Sequence, residues 1–261
     1  MSEVTKTADL HPTGASSYWA EPDNKVIYDA RWDGWAEMKD TGPMSRHTRR
    51  LILKTLRAVS FRSVLDVGCG PGAFLMFLAD KFQGLNLAGT DISETAVNLA
   101  RKKLPAASFL VGDVTAAPPE GRYDLVTMID VAEHIPNDLA AFQNIRACCQ
   151  GHLLVSTLEG RMRPFEVEVG HVRNYAPGEL QKKLEAADFE IVSFRRWGWP
   201  FYSPLYRNLN NTVKPHNLKQ SRFTRVAGAL AYGLLGLSLP FRGDLVIALA
   251  RPLNGAGKGE K

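Results

Sequence analysis

The sequence predicts an α/β fold in which helices cover both faces of a mostly parallel sheet. Short apolar segments alternate with amphipathic helical segments between residues 63 and 187. A glycine-rich loop, DVGCGPG at 66–72, connects the first strand segment to the helix that follows it. Three aspartates, at positions 66, 91 and 113, lie at the carboxyl ends of successive strand segments. Repeated strand–helix units return the chain to the same edge of the sheet, which favours parallel pairing.

Length and composition bound the class of protein. The 261 residues, 45% of them apolar, suit one large domain with extensions better than two independent domains. The 32 basic residues against 27 acidic ones give a net charge of +5. So small an excess permits an anionic partner without requiring one, and an oligomer is left open.

The cysteines and the polar N-terminus indicate the compartment. Cys69 lies in the glycine loop, and Cys148 and Cys149 are neighbours on a predicted helix, so we expect reduced thiols. The first residues lack the apolar segment of a secretion signal. No apolar run reaches the roughly 20 residues that span a bilayer. We therefore expect a cytoplasmic protein, with peripheral membrane contact left open for residues 222–242.

The order of the elements follows from the hydrophobic pattern. Residues 1–44 are predicted to form a tail and a helical extension, 45–251 the main domain, and 252–261 a flexible tail. Ser45 can cap a first helix, whose buried side would carry Leu51, Leu53, Leu56 and Val59. The predicted strands are 63–67, 85–90, 108–112, 123–129, 152–157, 189–197 and 244–251. The predicted helices after the first are 72–82, 93–104, about 137–149, and 177–187.

The last two predicted strands lack a clear helix between them, so an antiparallel edge is expected there. Residues 198–243 form an apolar insertion before the final strand. Within it, residues 222–242 are too uniformly apolar for an ordinary surface helix. They could form a cap over a substrate pocket, a subunit interface, a membrane-surface anchor, or a helix buried against the domain.

The glycine loop and the three aspartates indicate a nucleoside-containing ligand. The spacing is G-x-G-x-G, not the G-x-G-x-x-G of pyrophosphate binders. Asp66 stands two residues before the first glycine, where a carboxylate would repel pyrophosphate but suits an ammonium group. Asp91 is placed to accept ribose hydroxyls, and Asp113 to meet an adenine amino group. The plain alternative, a glycine turn with helix-capping aspartates, is disfavoured because all three acids are in register with the loop.

The segments VLDVGCGPG, TDIS, VGD and YDLVTMIDVAEHI resemble the motifs of class I S-adenosylmethionine (SAM)-dependent methyltransferases, over about residues 45–195. The resemblance implies a Rossmann-like, seven-stranded sheet with SAM across the strand ends. The SAM-binding residues it implies are Asp66, Gly68, Gly70, Gly72, Asp91, Ile92, Asp113, Val114 and Ile129. The chain departs from the common pattern before the fifth strand, where Gln150-Gly151 replaces a Pro-Gly-Gly turn.

Two histidines are candidates for the chemistry. Neutral imidazole is suited to a general base near pH 7, so His134 or His171 could deprotonate an acceptor hydroxyl. His134 could equally be structural at its strand–helix junction. The pattern D-x-x-E-H with a later histidine also resembles the metal site of ubiquinone-pathway O-methyltransferases and of small-RNA 3′-terminal 2′-O-methyltransferases. The Mg²⁺, Mn²⁺ or Zn²⁺ ligands implied by that resemblance are Asp130, Glu133, His134 and His171.

Several functions remain after these observations. The leading one is SAM-dependent O-methylation of a small acceptor, such as a quinone, polyketide, sugar or lipid-linked hydroxyl. RNA 2′-O-methylation is disfavoured by the modest charge, and a non-catalytic SAM-binding regulator is a further alternative. An NAD oxidoreductase is least favoured because of the loop spacing. The segment 194–207 mixes arginine with aromatics and could be an acceptor wall or core, whereas Arg49 and Arg50 are expected on a solvated helix face.

Overall fold

The computed structural model describes residues 42–209 and 222–253. The predicted tail and extension before residue 42, and the C-terminal tail beyond 253, lie outside these residues. The strands are β1 Ser63–Val67, β2 Asn86–Asp91, β3 Ser108–Val111, β4 Tyr123–Ile129, β5 Cys149–Leu158, β6 Phe189–Trp197 and β7 Leu245–Pro252. The helices are α1 Pro43–Leu56, α2 Ala73–Lys81, α3 Glu94–Lys103, α4 Asp138–Cys148, α5 Pro164–Glu168, α6 Glu179–Ala186 and α7 Arg222–Leu235. Short 3₁₀ and π-helical turns cover Ala132–His134 and Phe201–Tyr206.

A seven-stranded sheet with the order β3-β2-β1-β4-β5-β7-β6 organises the described residues. Strands β1 to β5 pair in parallel, whereas β7 runs antiparallel to both of its neighbours, β5 and β6. The predicted Rossmann-like, mostly parallel sheet is therefore confirmed. The antiparallel strand lies one position inside the edge, because β7 enters between β5 and β6 after the long insertion.

Helices cover both faces of the sheet, as the alternation of buried side chains requires. On β4, Val126 and Met128 belong to the core layer that includes Phe142 of α4 and Leu184 of α6. Leu125, the residue before Val126, belongs to the opposite layer with α1, α2 and α3. The sheet is thus buried on both sides, and its polar groups concentrate at the carboxyl ends of the strands.

Helix α1 begins earlier than predicted. Gly42 is its N-cap and Pro43 occupies the first turn, so the prediction that Ser45 caps the helix is wrong. Proline suits this position because its fixed φ matches the helix and its missing N–H would have had no helical partner. The buried face is also more polar than expected and carries His47, Thr48, Ile52, Thr55 and Leu56.

Strand β5 follows α4 without a connecting loop. It begins at Cys149, three residues before the predicted start. A Cβ at Gly151 would lie 2.3 Å from the carbonyl oxygen of Asp124, so only glycine fits where these two backbones meet. Gln150-Gly151 therefore acts as part of the strand rather than as a turn.

Candidate active site

The glycine loop takes a conformation that glycine alone adopts without strain. Gly68, Gly70 and Gly72 all have positive φ, at 70°, 50° and 81°. At Gly68 a Cβ would lie 2.4 Å from Cγ2 of Val131, so space as well as backbone conformation requires glycine there. The amides of Gly68 and Cys69 both donate to the carbonyl oxygen of Thr90, which fixes the loop against β2.

The acids at the strand ends differ in what they already bind. Asp66 is buried, and its Oδ1 accepts from the hydroxyl of Thr127 at 2.6 Å. Asp91 accepts from the amide of Gly70 at 2.8 Å and from that of Ser93 at 2.9 Å. Asp91 therefore joins the glycine loop to the end of β2, in addition to any contact with a ligand.

An open cleft of about 640 Å³, its solvent-filled mouth included, lies at the carboxyl ends of β1 and β4. Four of the predicted SAM-binding residues line it, namely Asp66, Gly68, Gly70 and Ile129. The others lie outside this lining. Gly72 caps α2, Ile92 and Asp113 are exposed, and Val114 is buried. Their contact with SAM stays a prediction.

Sequence reasoning missed the contribution of α1 and α3 to the cleft. Ser45, Thr48 and Arg49 line it from α1, and Lys103 from α3. Arg50 is exposed on the solvated face, as predicted, whereas its neighbour Arg49 lines the cleft. The spacing of Ser45, Thr48 and Arg49, three and four residues apart, is the signal that could have shown a polar stripe on one helix face.

Cys69 also lines the cleft, where it is a neutral thiol. Burial raises the pKa of the Cys69 thiol far above its usual value, and the nearby carboxylates of Asp66 and Asp91 raise it further. A thiol that stays protonated is a poor nucleophile. Cys69 therefore contributes shape rather than covalent chemistry.

Asp130 ends β4 in a strained conformation. Its φ is 53°, in the left-handed region that costs a residue with a side chain about 1–2 kcal/mol. Its amide donates to the carbonyl oxygen of Ser156 at 2.9 Å. The carboxylate lines the cleft rather than joining the other predicted metal ligands. Asp130 is not among the three residues whose ligand atoms lie within 4.8 Å of one another, and its place in the implied ligand set stays a prediction.

Glu133, His134 and His171 come together beside the same strand ends. Each offers a ligand atom within 4.8 Å of the others, and the two imidazole rings meet edge to face with centroids 4.7 Å apart. Glu133 is buried, and its Oε2 accepts from the hydroxyl of Thr157 at 2.8 Å. One carboxylate and two imidazoles form a donor set suited to Zn²⁺ or Mn²⁺ as well as to proton transfer.

Hydrogen bonds fix the tautomer of each imidazole. His134 Nδ1 lies 2.9 Å from the carbonyl oxygen of Gly170, which can only accept, so Nδ1 carries the proton. His171 Nδ1 lies 3.2 Å from Oδ1 of Asn174. The amide of Asn174 is itself oriented, because its nitrogen donates to Glu166 at 2.8 Å. In each neutral ring the lone pair is therefore on Nε2.

Buried charges hold the segment that carries His171. The guanidinium of Arg207 donates to Glu166 Oε1 at 2.7 Å and pairs with Asp244, which precedes β7. Nearby, the hydroxyl of Tyr175 donates to Asp138 of α4 at 2.6 Å. Loss of one partner from a buried pair typically costs about 3–5 kcal/mol. The position of His171 thus depends on Arg207, Asp244 and Asp138, which are all distant from it in sequence.

The segment 194–207 packs into the fold rather than forming an open wall. Trp197 and Tyr202 are buried and stack with their ring centroids 5.6 Å apart. Arg196 donates to Glu159 at 2.6 Å. Since Arg207 is also paired, Trp197, Tyr202, Arg196 and Arg207 favour the core interpretation, whereas Arg195 and Trp199 of the same segment are exposed.

Comparisons with known proteins agree with this geometry. A family model described as "Methyltransferase domain" matches residues 41–194. A ubiquinone biosynthesis O-methyltransferase from Vibrio campbellii is 25% identical over 181 residues, covering 60% of this chain and 76% of that protein. The ubiquinone biosynthesis O-methyltransferase of Bordetella bronchiseptica is 30% identical over 175 residues, covering 62% of this chain and 70% of its own.

Among solved structures, an O-methyltransferase from a trans-AT PKS multienzyme of Brevibacillus brevis, in complex with S-adenosyl-L-homocysteine, shares the fold. Its TM-score is 0.57 at 18% identity, and the match covers 89% of this chain and 80% of that one. The family model, by contrast, spans more than half of the sequence. The chain therefore belongs to the family of methyltransferase domains and is a SAM-dependent methyltransferase.

Proposed function

We propose that the protein transfers a methyl group from SAM to a hydroxyl group of a small, largely apolar acceptor. The observation that carries the proposal is the cluster of Glu133, His134 and His171, at the same edge of the sheet as the glycine loop. O-methylation requires removal of a hydroxyl proton, and the cluster holds two imidazoles whose Nδ1 protons are already engaged. The O-methyltransferase names of the relatives support the same reaction.

The cleft residues fit SAM by their chemistry. Gly68 and Gly70 line the cleft with backbone that no side chain covers, and Asp66 supplies a buried carboxylate suited to the ammonium of a methionine group. SAM supplies an electrophilic methyl group on a sulfonium. The residues proposed to hold it are Asp66, Gly68, Gly70, Gly72, Asp91, Ile92, Asp113, Val114 and Ile129. Their role is to orient the ligand, because an in-line displacement depends on alignment.

His134 or His171 acts as the general base in this proposal. With Nδ1 protonated, Nε2 of either ring can take and hold the proton of the acceptor hydroxyl. The carbonyl of Gly170 and the amide oxygen of Asn174 then stabilise the imidazolium, because each already accepts from the opposite nitrogen. The proton leaves the ring to solvent after transfer.

A divalent ion also fits the cluster. Glu133, His134 and His171 would supply the protein ligands, whereas Asp130 is placed to border the cleft. Ligand histidines usually donate their other nitrogen to a carbonyl, carboxylate or similar acceptor, and both rings here do so. A bound ion would lower the pKa of an acceptor hydroxyl.

The proposal is tested with methyl-labelled SAM, the full-length protein, and three acceptor preparations: apolar small molecules, polar small molecules, and RNA. We expect label in a base-stable product of the apolar preparation. A chelator, followed by addition of single divalent ions, separates the two mechanisms. Activity that is lost with chelator and restored by one ion indicates a metal-assisted mechanism, and activity that persists in chelator indicates a plain imidazole base. Label in RNA would contradict the proposed acceptor. SAM binding without any labelled product would indicate a regulatory SAM-binding protein instead.

A further inference from the structure

The outer face of α7 and the turn after it form an exposed apolar surface. Leu230 is 70% exposed, Leu237 67% and Phe241 88%. We call this surface the apolar ridge, and it comprises Val226, Leu230, Leu234, Leu237, Leu239 and Phe241, all of them exposed. A soluble monomer rarely leaves so many large apolar side chains together in water, so the ridge indicates a binding surface.

The opposite face of α7 is firmly packed. Leu235 is buried, and Tyr232 stacks on His47 of α1 with ring centroids 4.2 Å apart. His47 Nε2 also donates to the carbonyl oxygen of Tyr232 at 2.8 Å, and the Arg46 guanidinium lies 4.0 Å from the centre of the Tyr232 ring. The apolar ridge is thus the remaining face of a helix that is already attached to the domain.

The stretch of sequence that contains the apolar ridge carries charge of a single sign. Between residues 191 and 243 the sequence has no aspartate or glutamate. The same stretch contains eight basic residues: Arg195, Arg196, Arg207, Lys214, Lys219, Arg222, Arg225 and Arg242. Arg196 and Arg207 are paired within the fold. A stretch of sequence with only positive charge complements an anionic partner better than a second copy of itself.

The rim of the ridge has the composition of a membrane interface. Arg242 is exposed, and its guanidinium lies 4.9 Å from the centre of the Trp199 ring. Trp199 is itself exposed, and its carbonyl oxygen accepts from the amide of Leu239 in the ridge. Tryptophan and arginine beside apolar side chains are typical of residues at the headgroup level of a bilayer.

We propose that the apolar ridge docks on the surface of a bilayer that contains anionic lipids. Helix α7 then lies in the interface, its leucines and Phe241 among the acyl chains and Arg242 at the headgroups. Among the described residues, no helix is long and apolar enough to cross a membrane, so the contact is with one leaflet. Docking would bring α1, which lines the cleft, near a lipid-borne acceptor, and this last link alone rests on the proposed function.

Co-sedimentation of the full-length protein with vesicles tests the docking without SAM or acceptor. The vesicles are equimolar phosphatidylcholine and phosphatidylglycerol, with pure phosphatidylcholine for comparison. We expect binding to the anionic vesicles that weakens as salt is raised. The triple variant Leu230→Ser, Leu237→Ser, Phe241→Ser should bind at least about tenfold more weakly, since burying each such side chain is strongly favourable. The control Leu110→Ser, Val192→Ser, which removes exposed apolar side chains from the two edge strands, should bind normally.

Three results would overturn the docking proposal. One is a wild-type protein that ignores anionic vesicles, and another is a triple variant that binds them as the wild type does. The third is a wild-type dimer that becomes a monomer in the triple variant without any vesicle binding, which would assign the ridge to a second copy. Should the triple variant unfold, Phe241→Ser alone, in the turn after α7, gives the same comparison.

Discussion

The cofactor side and the catalytic side of this site are built in different ways. Around the glycine loop, the contacts join backbone amides to the end of β2, as in the bond from Gly70 to Asp91. Around His134 and His171, side chains meet across long separations, as in the pair of Arg207 with Glu166. The first region is fixed by backbone conformation, and the second by a network of side chains from several elements.

This difference implies that the two regions fail in different ways. A steric change in the glycine loop should weaken SAM binding, because the loop offers little room to adjust. A chemical change in the cluster should slow methyl transfer while leaving SAM binding intact. Each of the following variants tests whether the two regions are as separate as their contacts suggest.

The largest effect is expected from His134→Ala. Removing a general base or a metal ligand should lower kcat about 10²–10⁴-fold. The Kd for SAM, measured by calorimetry, should stay the same, since His134 lies outside the lining of the cleft. His152→Ala, a half-buried histidine on β5, is the matched control and should keep its activity. A comparable loss of SAM affinity in His134→Ala would show that the two regions are coupled.

Gly68→Ala tests the cofactor side and has an unusually close control. Gly68 and Gly84 have nearly equal φ, 70° and 71°, but a Cβ at Gly84 would meet nothing within 4 Å. Overpacking typically costs about 1–3 kcal/mol, so Gly68→Ala should weaken SAM binding about tenfold or more. Gly84→Ala pays only the conformational strain and should bind SAM normally.

Val131→Ala in the Gly68→Ala background sharpens this test. The added Cβ at Gly68 clashes with the side chain of Val131, so its truncation should recover part of the lost affinity. Equal SAM affinities in the Gly68→Ala and Gly84→Ala proteins would mean that the loop shifts freely, and the contrast between the two regions would then be lost.

Asn174→Ala addresses the orientation of His171. Without the amide oxygen, Nδ1 of His171 loses the acceptor 3.2 Å away that fixes its proton. Removing such an orienting partner typically costs about 10–100-fold in metal affinity or activity. We expect kcat to fall within that range, with the SAM Kd unchanged. Asn98→Ala, which removes an exposed bond to Arg101 on α3, is the control. Unchanged kcat in Asn174→Ala would assign the chemistry to His134 alone.

The same contrast explains what the sequence could predict. The sheet, most helices and the glycine loop follow from local patterns, and the structure bears them out. The start of α1 was missed because the proline at N1 outweighs the capping tendency of Ser45. The left-handed φ of Asp130 could not be foreseen, because residues other than glycine adopt it only uncommonly. Arg207 carries no motif, since its partners Glu166 and Asp244 are distant in sequence.

Helix α1 lines the cleft and packs against α7, which carries the apolar ridge. The smallest expected effect comes from a substitution in this helix. His47 of α1 is fully buried, and within the described residues its Nδ1 has no hydrogen-bond partner. Burial lowers the pKa of His47 below its usual value, more than its bond to the Tyr232 carbonyl raises it. Arg50 and Arg46 lower it further.

A lowered folded-state pKa makes stability depend on pH in one direction. Above the unfolded pKa of about 6.5, His47 is neutral in both states and its contacts contribute in full. As the pH falls below that value, the unfolded chain gains a proton that the folded protein resists, so the free energy of unfolding decreases.

His47→Phe keeps a ring against Tyr232 and removes this titration. We expect urea unfolding to show a lower free energy of unfolding at pH 5 than at pH 7 in the wild type. In the variant this decrease should be about 1 kcal/mol smaller. Identical losses in the two proteins would mean that His47 is protonated in the folded state, and that the contact between α1 and α7 tolerates a buried charge.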